Sequence, residues 1–162
     1  MEFKSWLCEV FFHVTKKGIG DIIRRDGFKP GPTGELGPGI YLAKHRALFP
    51  THLRRLGSGE TYETETLRVH VNPSVKFFLL NSEAPNPPLE IYKKLFPKDY
   101  AKRYDMDSAG GKIWYPNLKV NWTYLHQLLK DRGYGAIERT ERAGDVGNTD
   151  MIVFDPKNLS VE

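Results

Sequence analysis

Three short segments of the chain carry residue types suited to chemistry at one site. They are Phe12-His13-Val14-Thr15, the glycine-flanked run Gly37-Pro38-Gly39-Ile40-Tyr41-Leu42-Ala43, and Asn148-Thr149-Asp150-Met151-Ile152-Val153-Phe154-Asp155-Pro156, in which Asp150 directly precedes an apolar run. An imidazole can hydrogen-bond a ligand hydroxyl, and an aromatic face binds a flat cationic ring. A carboxylate stabilises positive charge that develops during a reaction. The three residue types are therefore candidates for one binding or catalytic site.

Each segment borders or belongs to a predicted strand, so the order of strands and helices decides whether the three residues meet. β-Branched and aromatic runs and alternating apolar residues predict strands at 9–15, 39–43, 67–71, 76–80, 136–139 and 151–154. Helical spacing, glycine stops and proline positions predict helices at 19–26, 45–56, 89–96 and 122–132, and an irregular stretch at 105–121. Strands and short helices alternate without regular βαβ units. This pattern predicts an α+β domain with a split, mostly antiparallel sheet and short flanking helices.

Composition limits the class of protein. The 162 residues, 40% hydrophobic and 27% charged, predict one globular domain spanning residues 1–162. No apolar run is long enough to cross a bilayer and no secretory signal pattern is visible, so we expect a cytoplasmic protein without a membrane partner. Cys8 is the single cysteine, which excludes an internal disulfide, and the histidines lack metal-ligand spacing. We therefore expect no metal, and we expect a monomer.

The three segments, in this order, resemble the His-Tyr-Glu class of ADP-ribosyltransferases, which includes diphtheria-like toxins and the catalytic domain of poly(ADP-ribose) polymerases. The resemblance spans nearly the whole chain. It implies ADP-ribosyltransferase-like split sheets around an NAD cleft, with NAD⁺ as the substrate. Breaking the nicotinamide–ribose bond passes through an oxocarbenium-like state, so the resemblance implies a carboxylate beside the developing cation.

The resemblance also implies a role for each residue. His13 would bond the adenosine-side ribose hydroxyl, and the main chain of Val14 would hold the nicotinamide amide. Tyr41 would stack on nicotinamide, and Asp150 would stabilise the ribose cation, so His13, Tyr41 and Asp150 form the implied catalytic set. The implied NAD-binding set is His13, Val14, Thr15, Gly39, Tyr41, Phe49 and His52.

The chain departs from the family pattern at three positions. Asp150 stands where the family has glutamate, and its carboxylate reaches roughly 1.5 Å less far because one methylene is missing. Phe49 replaces a serine eight residues after the tyrosine, and His52 replaces a second stacking tyrosine. The aspartate disfavours chain elongation, so the resemblance implies transfer of a single ADP-ribose unit.

Two other functions remain open at this point: a related RNA 2′-phosphotransferase, and a degenerate domain that binds NAD, ADP-ribose or nucleic acid without turnover. Among macromolecular acceptors we slightly favour RNA or DNA over protein. The net charge of +4, the pairs Arg24-Arg25 and Arg54-Arg55, and the aromatics Trp114, Tyr115 and Trp122 suggest this choice. The small size is similar to that of bacterial or phage toxins and defence effectors, for which a neutralising antitoxin would be a further partner.

Overall fold

The structure is a computed structural model and describes residues 9–32, 34–44, 53–55, 61–81, 83–139 and 151–162. The strands in these ranges are β1 (Val10–Lys16), β2 (Ile40–Leu42), β3 (Leu53–Arg55), β4 (Thr61–Val71), β5 (Lys76–Leu80), β6 (Tyr134–Arg139), β7 (Met151–Val153) and β8 (Leu159–Val161). The helices are α1 (Ile19–Asp26), α2 (Pro87–Leu95), α3 (Tyr100–Ala109) and α4 (Trp122–Asp131). In these ranges no helix offers the long apolar stretch that crossing a membrane requires.

The strands form two mostly antiparallel sheets. In the first sheet β4 is central, with β1 along one edge and β3 and β8 along the other, so that Val69 pairs with both Phe11 and Val161. The second sheet has the order β2-β7-β6-β5, in which only the β5–β6 pair is parallel among the described pairings. The expected α+β class with split, mostly antiparallel sheets is confirmed at this level.

The second sheet is buried on both faces. Ile152 of β7 packs with the apolar faces of α2 and α4, which include Ile91, Leu125 and Leu129. Its neighbours Met151 and Val153 point the other way, into a cluster shared with the first sheet and α1. Such a strand shows a continuous apolar run rather than alternation, as residues 151–154 do in the sequence.

Local sequence accounts for the helix ends. Gly18 and Gly27 flank α1 with positive φ angles of 89° and 82°, a conformation that glycine adopts without steric cost. The side chains of Asn86 and Asn121 accept hydrogen bonds from the first-turn amides of α2 and α4. Both asparagines thus satisfy amides that have no partner within their own helix.

Three element predictions are wrong in part. Leu53–Arg55 was predicted as the end of a helix over 45–56, but it is a strand because it pairs with the first residues of β4. Strand β4 begins six residues earlier than predicted. Residues 45–52 of the predicted helix lie outside the described ranges. The strand β8 was not predicted. Residues 105–109 of helix α3 were expected to be irregular, and no element was predicted over 100–104. The helix has no buried residue and therefore no apolar stripe to reveal it.

A carboxylate holds α3 in place together with the partly buried rings of Tyr100 and Tyr104. Asp107 of α3 accepts hydrogen bonds from the hydroxyls of Tyr92 on α2 (2.6 Å) and Tyr124 on α4 (3.0 Å), and Lys112 lies 3.4 Å away. Burial disfavours the charged form of Asp107, but these donors outweigh burial and hold its pKa below the usual value. Burial and the same contact raise the pKa of the Tyr92 phenol.

We predict that Asp107→Asn lowers the free energy of unfolding by about 1.5–3 kcal/mol at neutral pH, the range for hydrogen bonds to a charged group. Because the folded-state pKa of Asp107 is lowered, its contribution is fully present above about pH 4 and is lost as the pH falls through the folded value. Urea denaturation at pH 7 and at pH 3 measures both effects. Asp105→Asn, an exposed change on the same helix, is the matched control, and equal losses in the two variants would contradict the prediction.

Candidate active site at the split between the sheets

Among the described residues, one pair joins the backbones of the two sheets. Phe12 of β1 and Ala43, which follows β2, exchange both backbone hydrogen bonds, with N–O distances of 2.8 and 2.9 Å. On either side of this antiparallel bridge the described strands belong to separate sheets. The bridge fixes the position of β2, and with it Tyr41, relative to β1.

The His13 ring takes the place of the next hydrogen-bonded pair that a continued ladder between β1 and β2 would form. Two residues beyond the Phe12–Ala43 bridge, antiparallel pairing would join the backbones of Val14 and Tyr41. Instead, the Tyr41 carbonyl accepts a hydrogen bond from Nδ1 of the His13 ring at 2.9 Å. Because a carbonyl only accepts, Nδ1 carries the proton. The His13 ring thus takes the place of a backbone donor and separates the sheets.

The backbone of Val14 is directed into this split. Alternate residues of an antiparallel strand point their N–H and C=O groups to opposite sides. Phe12 uses its groups toward Ala43, so those of Val14, two residues on, point away from β4 to the same side. Thr15 follows and pairs with Glu65 of β4, whose carboxylate bonds the Gly20 amide in the first turn of α1. The Val14 backbone groups therefore have the direction that a ligand amide in the split requires.

Tyr41 is held at its hydroxyl by a tight turn. The hydroxyl donates to the Gly37 carbonyl (2.8 Å) and accepts from the Leu36 amide (2.9 Å). Burial raises the pKa of the phenol, so the group stays protonated at neutral pH and can make both bonds. The ring is half-buried and its hydroxyl end is fixed, which presents the ring in one orientation.

Two glycines are required here by packing. A Cβ on Gly34 would lie 2.1 Å from the Tyr41 hydroxyl oxygen. A Cβ on Gly39 would lie 2.6 Å from the side chain of Ile152. Gly39 therefore permits a close approach to β7, and this contact alone accounts for a glycine at position 39. The NAD-binding role of Gly39 stays a prediction.

Two ion pairs flank this end of the second sheet. Arg139, the last residue of β6, pairs with Glu35 at 2.5 Å, and both charges act on the Tyr41 phenol. Lys44 pairs with Glu138 across β7, and both side chains are largely buried. The partly desolvated Lys44–Glu138 pair is stronger than a fully exposed one, whereas Glu35 is 80% exposed and its pair with Arg139 contributes little.

Asp150, Phe49 and His52 lie outside the described residues. Met151, which follows Asp150, pairs with Leu42, which follows Tyr41. The structure thus brings His13, Val14 and Tyr41 together, and the convergence of Asp150 on them stays a prediction.

A surface cleft of about 450 Å³ lies at the opposite end of β7, lined in part by Lys76, Lys130, Tyr134 and Phe154. It includes neither His13 nor Tyr41. Because His13 and Tyr41, the residues whose chemistry the sequence indicated, lie at the split instead, the split is the candidate site. In the described ranges no group of three acidic, histidine or cysteine residues is arranged to hold a metal ion.

The sequence interpretation missed residues that build this site. Leu36 and Gly37 hold the tyrosine hydroxyl, and His126 of α4 bonds the Leu36 carbonyl at 2.6 Å. The available signal was a histidine inside the apolar stripe of α4, beside Leu125 and Leu129. A polar side chain on such a stripe must find a buried partner.

Comparison of the chain with protein-family models, with curated proteins and with solved structures finds no significant match. The family resemblance therefore depends on the three sequence segments and on the geometry of the split.

We predict that Tyr41→Phe lowers the free energy of unfolding by about 1–3 kcal/mol, because the Leu36 amide and the Gly37 carbonyl lose their partner. Chemical denaturation measures the loss. Tyr115→Phe is the control, since that tyrosine is 48% exposed. A Tyr41→Phe variant as stable as the control would show that the two bonds contribute nothing.

Proposed function

We propose that this chain is a mono-ADP-ribosyltransferase of the His-Tyr-Glu type, with Asp150 in the place of the glutamate. In this proposal the two sheets form an ADP-ribosyltransferase-like fold, and NAD⁺ binds as a substrate in the split between them. Nicotinamide is released and ADP-ribose passes to a macromolecular acceptor.

The observation that carries the proposal is the hydrogen bond from the His13 ring to the Tyr41 carbonyl at the split. Two residues 28 positions apart, selected for their chemistry in the sequence, are neighbours at the point where the sheets separate. The resemblance assigns the same region to the nicotinamide riboside. The direction of the Val14 backbone agrees with a role in holding a carboxamide, which needs one donor and one acceptor.

The reaction would proceed as a substitution at the ribose carbon C1′. The bond from C1′ to the nicotinamide nitrogen breaks, and its electron pair leaves with the ring, which becomes neutral nicotinamide. The Asp150 carboxylate would stabilise the resulting oxocarbenium ion. An acceptor nucleophile then bonds to C1′ and loses its proton to solvent or to a nearby base. The fixed Tyr41 ring would orient the nicotinamide before departure.

A nucleic-acid acceptor is the first choice within this proposal. The net charge of +4 and the exposed ring of Tyr115 support it. Arg24 and Arg25 add little, because each is paired with a carboxylate of α1. Trp114 and Trp122 also add little, since both pack against the core.

We predict that Asp150→Asn abolishes NAD⁺ cleavage, with a rate reduction of about 100-fold or more, comparable to removing a group that stabilises transition-state charge. Asp150→Ala should behave in the same way while leaving the fold intact. Release of free nicotinamide from NAD⁺ measures the rate. Asp155→Ala, at the other end of β7, is the matched control, and it should retain activity because Asp155 only accepts from the Lys157 amide. An active Asp150→Ala enzyme would remove the carboxylate from the mechanism.

We predict that radiolabel from the adenylate part of NAD⁺ becomes covalently attached to nucleic acid in a cell extract, and that nuclease but not protease releases it. Labelling should fall steeply with salt, because each neutralised phosphate adds about 0.9 to the log–log slope of binding. Covalent labelling separates this activity from a phosphotransferase and from binding without turnover. A protein band labelled at low salt, with unlabelled RNA and DNA, would assign a protein acceptor instead.

A further inference from the structure

The turn that holds Tyr41 is itself held by α4. Residues Gly34 to Gly37 form a β-turn closed by the bond from the Gly37 amide to the Gly34 carbonyl, at 3.1 Å. This bond fixes the Gly37 nitrogen, which belongs to the peptide that joins Leu36 to Gly37. Its oxygen accepts a hydrogen bond from Nε2 of His126, 90 residues further along the chain. Both ends of this one peptide group are therefore anchored.

His126 is fixed on every side. The residue is 4% exposed, and its ring stacks on Phe154 with centroids 4.3 Å apart. Burial lowers its pKa to about 4, despite the opposing influence of the Leu36 carbonyl, so the ring is neutral at neutral pH. Because the Leu36 carbonyl only accepts, the neutral ring carries its proton on Nε2.

The turn packs closely against α4 at Gly37. Gly37 has a φ of 89°, and a Cβ there would lie 2.3 Å from the Cβ of Trp122 and 3.2 Å from the His126 ring. Trp122 and His126 are one helical turn apart on α4, so one face of the helix abuts the turn. A displaced Leu36 carbonyl would move the Leu36 amide and the Gly37 carbonyl, the two groups that bond the Tyr41 hydroxyl.

We infer that His126 is a positioning residue for Tyr41, acting through the backbone of Leu36 and Gly37 to set the orientation of the tyrosine ring in the split. The inference concerns the ring orientation itself. Its consequence for NAD⁺ rests on the proposed function.

The test follows the Tyr41 ring by NMR. The protein contains tyrosine labelled with ¹³C at the ring carbon that bears the hydroxyl. Tyr41→Phe identifies the Tyr41 resonance among the eight tyrosines. In His126→Leu, which removes the donor, the Tyr41 resonance should shift or broaden. In His126→Gln, whose amide donates to the same carbonyl, it should return toward its native position. Gln127→Ala, on the exposed face of α4, should leave it unchanged. An unmoved Tyr41 resonance in folded His126→Leu would overturn the inference.

A reciprocal measurement needs no change at His126. In Tyr41→Phe the ring nitrogen and proton resonances of His126 should shift, because the two peptides on either side of the Leu36–Gly37 peptide lose their hydrogen bonds to the hydroxyl. Unchanged His126 resonances there would also overturn the inference, even if His126→Leu does not fold.

Steady-state kinetics then tests the functional consequence. His126→Leu should raise KM for NAD⁺ roughly tenfold, with a much smaller change in kcat. A tenfold weakening is part of the effect expected when one stacking contact between a base and an aromatic ring is lost. His126→Gln should restore KM. A wild-type protein that releases no nicotinamide would overturn the proposed function, while the NMR result would still decide the inference. An active wild type with equal KM in His126→Leu would overturn the functional consequence, namely that the Tyr41 orientation set by His126 matters for NAD⁺ binding.

Discussion

The Phe12–Ala43 bridge is the constraint on which the site depends. Two backbone hydrogen bonds join the sheets there, and the next possible pair is replaced by the bond from His13 to the Tyr41 carbonyl. A continuous ladder would pair the groups of Val14 and Tyr41 with each other and leave no space between the strands. The histidine ring therefore gives the Tyr41 carbonyl its hydrogen-bond partner and keeps the two strands apart. As a result, the backbone groups of Val14 are not paired with those of Tyr41.

The core supports this arrangement from both faces of one short strand. Ile152 packs toward the helices, whereas Met151 and Val153 pack toward the first sheet. Because β2 pairs along all three residues of β7, a shift of β7 would carry Tyr41 with it. Asp107 ties the outer helix α3 to α2 and α4 through hydroxyl groups, where an apolar contact would usually do so. The close packing around β7 and the hydrogen bonds of Asp107 among the helices together hold the second sheet's side of the split in place.

Sequence patterns predicted the parts of the fold that depend on neighbours along the chain. The glycines that flank α1, the apolar run of β7 and the amphipathic face of α4 all correspond to described elements. Helix α3 was missed because Asp107 stabilises it through partners on two other helices. The Leu53–Arg55 strand was missed because its partner lies in β4. At the site, residue chemistry indicated His13 and Tyr41. The replacement of a ladder pair by a side chain, and the reach of His126 to Leu36, depend on contacts 28 and 90 residues apart, which periodicity does not report.

The order of the strands also has a consequence for how the molecule assembles during synthesis. The second sheet has β7 at residues 151–153 as an inner strand. Within the described ranges β2, made more than a hundred residues earlier, pairs in that sheet with β7 alone. The pairing of β8 with β4 is equally late. The first sheet can therefore begin to form on the ribosome through β1 and β4, while β2 and the Tyr41 region wait for residues 151–161. Contacts of such long sequence separation form slowly. A nascent chain would thus gain its complete split only after nearly all of these 162 residues had emerged.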